Sequence, residues 1–120
     1  MDNENMPAPL GPYSHAVAAS GELVFISGQP GIDANGDVPG QFEEQARNAF
    51  ENLSRVVAAA GLEMTDVVKT TVYLADASQF SVLNLLFGEY FPTSPPTRAT
   101  PIVQLPKGLL ISIEAVAARP

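Results

Sequence analysis

The run Leu109-Leu110-Ile111-Ser112-Ile113-Glu114-Ala115-Val116-Ala117 constrains the fold more than any other segment of this chain. It is rich in branched side chains and reads as a strand. Counted with a period of two, Leu109, Ile111, Ile113 and Ala115 share one face. Leu110, Ser112, Glu114 and Val116 share the other. A strand that is apolar on both faces belongs in a sheet that is covered on both faces. The chain must therefore supply cover for two sides, and it has only 120 residues to do so. That length fits one domain, taken here as residues 1–120, with a small core.

The remaining elements supply cover for only one side. Residues 1–9 read as an irregular leader. Ala16–Ala19 and Glu22–Ser27 are short strand candidates around the turn Ser20-Gly21. Gln29 to Gly40 is a loop, with Asn35-Gly36-Asp37 as its turn. Phe42 to Ala60 places Phe42, Ala46, Ala49, Phe50, Leu53, Val56, Val57 and Ala60 on one helical stripe. Glu43 and Glu44 favour its N-terminus, and Gly61 is placed to stop it. Val67 to Leu74 alternates as a strand. Asp76 or Ser78 can cap a second helix over Gln79 to Phe91. Pro92 to Thr97 is loop, and Thr100 to Gln104 is a strand candidate weakened by Pro101. This order predicts an α+β domain, a mixed sheet with both helices on one face. The second face then needs another copy of the chain, so an oligomer is expected.

Composition removes several kinds of chemistry. There is no cysteine, which excludes disulfides, thiolate metal sites and thiol nucleophiles. One histidine excludes any site built on two imidazoles from one chain. The scattered acids form no calcium loop, and no phosphate-binding glycine loop or nucleophile elbow is present. Six basic against 13 acidic residues give a net charge of −7, which disfavours nucleic acid and anionic membranes. No apolar run is long enough to span a bilayer. The leader has neither a basic start nor an apolar stretch, so a cytoplasmic location is expected.

Among the polar residues, Glu114 stands out as the one charge in its apolar strand. A carboxylate there is either a general acid or base, a solvent-facing group at a sheet edge, or half of a structural ion pair. Arg98 follows the stiff pair Pro95-Pro96 and is the natural partner of Glu114; its guanidinium can hold a carboxylate through two parallel hydrogen bonds, or pair with any of the chain's other acids. Arg47 and Arg55 lie on the long helix and face solvent. Asn84 falls on the apolar stripe of the second helix, where its amide needs partners; it caps a loop internally or faces a ligand. Tyr13 follows the turn Gly11-Pro12 and either packs or faces a cleft. Ser27-Gly28 ends a strand at a residue that lets a backbone approach closely. His15 has no partner in its neighbourhood and reads as structural.

Taken in order, these segments resemble one family. They are Gly11-Pro12-Tyr13-Ser14-His15-Ala16, Ile26-Ser27-Gly28-Gln29, the helix Gln45 to Gly61, and Asp66 to Leu74. Asn84 with Tyr90-Phe91, Pro96-Thr97-Arg98, Leu105-Pro106-Lys107-Gly108 and Ile113 to Ala117 complete the series. Their order and spacing are similar to those of the RidA/YjgF reactive intermediate deaminases, from Pro9 to Ala118. The resemblance implies a chorismate-mutase-like fold and a homotrimer with three intersubunit clefts. It implies hydrolysis of 2-imino or 2-enamino acids, such as 2-aminoacrylate, 2-iminopropanoate and 2-iminobutanoate, to 2-keto acids and ammonia, with no cofactor and no metal. Arg98 then corresponds to the arginine that holds the substrate carboxylate, and Glu114 to the glutamate that positions water. Tyr13, Ser27, Gly28, Asn84 and Thr100 correspond to residues that line or support the cleft.

Two departures accompany the resemblance. Thr100 stands where many relatives carry cysteine, and the stretch between Arg98 and Leu105 is one residue shorter and contains Pro101. Two other roles suit the same cleft: binding a small keto or amino acid without turnover, or RNA cleavage, which the acidic balance disfavours.

Overall fold

The computed structural model describes residues 5–120, so residues 1–4 of the expected leader lie outside the described residues. Residues 5–9 form no helix or strand. Four strands and two α-helices follow: β1 (Glu22–Pro30), α1 (Phe42–Ala59), β2 (Val67–Leu74), α2 (Phe80–Tyr90), β3 (Thr97–Ala99) and β4 (Ile111–Arg119). The sheet order is β1-β4-β2-β3. β4 runs antiparallel to both β1 and β2, and β3 runs parallel to β2. This is the α+β mixed sheet expected, with the two-sided apolar strand at an interior position.

The inner face of β4 presents Ile111, Ile113, Ala115 and Ala117, all buried. Against it packs the stripe of α1, with Ala46, Ala49, Phe50 and Leu53 fully buried. Leu83, Leu86 and Phe87 from α2 complete the same core. Phe50 joins the helices, edge-on to Phe87 at 6.1 Å and stacked on Tyr90 at 4.8 Å. Both helices therefore lie on one face of the sheet. Gly61 stops α1 with φ +77°, a backbone that suits glycine. The Asp76 side chain accepts from Ser78 N at 2.9 Å and opens a short 3-10 turn that leads into α2.

The opposite face is open. Leu23 and Phe25 of β1 are 50% and 75% exposed there. Single exposed apolar side chains are ordinary, but here they lie level with Ala118 and Val116 of the central strand.

Two strand expectations are corrected. Residues 16–19 are exposed and join no ladder, because Ala-Val-Ala-Ala buries too little side chain to hold a strand. Thr100–Gln104 makes only an isolated bridge, Ile102 to Leu74. Pro101 has no N–H to give a ladder, so regular pairing stops before it. The strand forms upstream instead, at Thr97–Ala99, directly after the prolines and overlapping the expected loop only at Thr97.

Candidate functional site

Register decides where the two charged candidates sit. Arg98 of β3 pairs with Thr70 of β2, and Thr70 pairs with Ala115 of β4. Side chains level in register share a face, so Arg98 lies on the helix-covered side. Glu114 pairs with Thr71 and lies on the open side. The expectation that Arg98 partners Glu114 is thus not met within one chain. Among the described residues neither takes part in an ion pair.

Arg98 sits in an aromatic pocket. Its guanidinium carbon lies 4.9 Å from the ring centre of Tyr13, 5.0 Å from Phe87 and 5.2 Å from Phe80. Such stacking is favourable for a guanidinium and removes it from water. Burial pushes the guanidinium below its ordinary pKa, and the Tyr13 phenol partly opposes that shift. It remains a cation at neutral pH. Nε donates to Thr100 Oγ1 at 2.9 Å, so Thr100 steers the arginine from two residues away. Nη1 is buried without a hydrogen-bond partner, and so is Asn84 Oδ1. The Asn84 amide donates through Nδ2 to Leu10 O at 3.1 Å, which is the loop-capping role foreseen. The Tyr13 hydroxyl accepts from Leu10 N at 3.0 Å. A methyl group on Gly11 would lie 3.0 Å from Arg98 Nη2 and collide with Asn84 Oδ1. Glycine is needed there for the close approach of the turn to the pocket.

Glu114 belongs to a different environment. A groove of about 300 Å³ on the open face is lined by Phe25, Ser27, Lys69, Glu114 and Val116, among others. Tyr73 donates to Glu114 Oε1 at 3.0 Å. Lys69 Nζ donates to Thr71 Oγ1 at 3.3 Å. Ser27 and Gly28 fall in a bulge, where the pairing slips between Ile26 and Gln29. The bulge places the Ser27 side chain at the groove. A methyl group on Gly28 would sit 2.6 Å from Ser112 Oγ and displace that hydroxyl, so the glycine lets Ser112 pack against the bulge.

The sequence-derived residues thus separate into two groups. Arg98, Tyr13, Asn84 and Thr100 gather on the covered side; Glu114, Ser27 and Gly28 gather on the open side. Lys69, Thr71 and Tyr73 were missed as neighbours of Glu114. The period of two in β2 puts them on one face, but only the register places that face beside Glu114. The other polar expectations are simpler. His15 Nε2 is 2.8 Å from Pro7 O, a local structural contact. Arg47 pairs with Glu43 and Glu89 on the surface. Gln45, a polar residue that no sequence pattern singled out, is fully buried. It donates to Pro39 O and Gly108 O and accepts from Leu110 N, tying α1 to the loops that lead into the sheet. Among the described residues no group of three or more His, Cys, Asp or Glu side chains is placed to hold a metal. No described helix is long and apolar enough to cross a membrane.

The chain is similar in sequence and fold to known proteins. The family model described as Endoribonuclease L-PSP matches residues 3–119. A bovine protein named 2-iminobutanoate/2-iminopropanoate deaminase is 45% identical over 116 residues, which is 94% of this chain and 84% of that protein. The crystal structure of RidA from an Antarctic Psychrobacter is 41% identical with a TM-score of 0.79, covering 94% of this chain and 93% of that one. The structure of Escherichia coli TdcF with bound serine is 35% identical with a TM-score of 0.79, covering 95% and 93%. The chain belongs to the RidA/YjgF family.

Proposed function

We propose that this protein is a deaminase that hydrolyses small 2-imino and 2-enamino acids to 2-keto acids and ammonia, at sites shared between copies of the chain. The observation that carries this reading is Arg98. Its guanidinium is stacked among three rings and has a buried Nη1 without a partner. Leaving such a donor unpaired costs about 1–3 kcal/mol, and a ligand carboxylate removes the cost with charge-assisted bonds. The relative solved with serine and the relative named as an imine deaminase support a small amino-acid-like ligand.

Glu114 is the base in this reading. An enamine first tautomerises to the imine. The Glu114 carboxylate takes a proton from water as its oxygen bonds to the imine carbon, giving a carbinolamine. That proton passes to nitrogen, the hydroxyl proton follows through Glu114 as the carbonyl forms, and the carbon–nitrogen bond breaks with its electron pair going to nitrogen, releasing ammonia and the keto acid. Orientation by Arg98 and one positioned base suffice, because imines already react with water.

Arg98 and Glu114 lie on opposite faces of one sheet, so a site that uses both draws on two chains. The open face with Leu23 and Phe25 provides a surface for that contact, and a homotrimer with three clefts is the assembly we infer. The test is to generate 2-aminoacrylate or 2-iminobutanoate in situ from serine or threonine and follow keto-acid release. Acceleration by this protein is expected. Saturable binding of 2-ketobutyrate with no acceleration of any imine would replace the reading with that of a binding module. Light scattering should give three times the chain mass; a stable monomer would end the shared-site model.

A further inference from the structure

We infer that Tyr73 is a positioning residue for Glu114, fixing which carboxylate oxygen is presented to the reacting water; the inference rests on the deaminase reading above. The two side chains meet on the open face of the sheet, on adjacent strands. Tyr73 stands level with Ser112, and Glu114 lies two residues further along β4, level with Thr71. This diagonal offset is within reach of a tyrosine. The phenol donates to Glu114 Oε1 at 3.0 Å.

The bond has two consequences. It occupies one carboxylate oxygen, so Oε2 is left to accept a proton from water. It also fixes a side chain that otherwise turns freely at a half-open groove. A base held in one orientation reacts from a defined distance, and a small misplacement is costly. Among the described residues, Tyr73 is the side chain that donates to Glu114. Lys69 is the other charged group in the groove, and its Nζ is engaged with Thr71 Oγ1 at 3.3 Å. Ser27 faces the groove from β1, and Ser112 and Val116 flank Glu114 on its own strand.

The phenol also keeps its proton. Its hydrogen bond to Glu114, with burial and the carboxylate's charge adding to it, raises the Tyr73 pKa above the ordinary tyrosine range. Tyr73 is therefore a donor throughout the working pH range and takes no part in proton transfer.

The experiment uses the full chain and the keto-acid release assay. Tyr73→Phe keeps the ring and removes the donor. Its kcat is expected to fall about ten-fold, with KM changed less than about two-fold, because Arg98 still holds the substrate. Its mass in solution and thermal midpoint should stay near those of the unaltered protein. A second readout needs no turnover. The phenolate absorbance of Tyr73, isolated by difference from Tyr73→Phe, should titrate above the ordinary tyrosine range and move down toward it in Glu114→Gln. Tyr73→Phe with unchanged kcat in an otherwise active protein overturns the inference and leaves the deaminase reading intact. A Tyr73 titration that Glu114→Gln does not move also overturns it. If the unaltered protein accelerates no imine, the reading and the inference fall together.

Discussion

The two sides of the sheet hold opposite kinds of site. On the covered side Arg98 is enclosed: three rings, the Thr100 hydroxyl and the Gly11 turn set its position, and its charge is partly desolvated. On the open side Glu114 sits in a groove on a single chain, held through one oxygen by Tyr73. The cation is fixed by packing, the carboxylate by a hydrogen bond. The difference teaches how one small domain can prepare two charged groups by different means on opposite faces of one sheet. In the shared-site proposal, each face prepares one group and a neighbouring copy supplies the other.

Removing the base tests the open side first. Glu114→Gln should lower kcat by about 10²–10⁴-fold, the usual contribution of a positioned base, while 2-ketobutyrate binding survives. Loss of binding together with turnover would show that the two sides do not divide the work. Arg98→Ala should lower kcat/KM by about 10²–10³-fold, mainly through substrate affinity, since it removes a desolvated charged contact. Full activity in that variant would reject the carboxylate clamp. Mixing the two inactive variants separates shared from self-contained sites. Random mixed assemblies of Arg98→Ala and Glu114→Gln should recover activity at about a quarter of the sites if each draws on two chains. No recovery would place both groups in one chain's site.

The smallest effect concerns the covered side's scaffold. The Ser78 backbone and side chain hold the Asp76 carboxyl below its ordinary range. Its stabilising contribution is present above the unfolded-state pKa and is lost as pH falls through the lower folded value. The thermal midpoint of Asp76→Asn should therefore lie below that of the unaltered protein at neutral pH. The gap should close as the solution is acidified, and a gap independent of pH would refute the cap's role.

Much of this was legible before the structure. The stripe from Phe42 to Ala60 and the strand at Val67–Leu74 were readable because their periods are strong and their ends carry glycine or turn residues. The position of Asn84 on an apolar stripe called for a partner, either internal or a ligand's, and Leu10 O takes its Nδ2. Other features were hidden for physical reasons. The strand at Thr97–Ala99 lies beside prolines, and parallel pairing with a distant strand overrides that local signal. The stretch at 16–19 alternates too weakly and buries too little to form a ladder. Tyr73 looked like one more strand aromatic until register set it beside Glu114.

By itself the sequence determined the two helices, the strands near 22–27, 67–74 and 109–117, the apolar character of both faces of the last strand, and the lack of cysteine beside a single histidine. These follow from composition and from periods of two and 3.6, which are local. Only the tertiary structure decided that Arg98 and Glu114 face opposite ways. A side chain's face depends on strand register, and register is set by pairing between segments far apart in the chain.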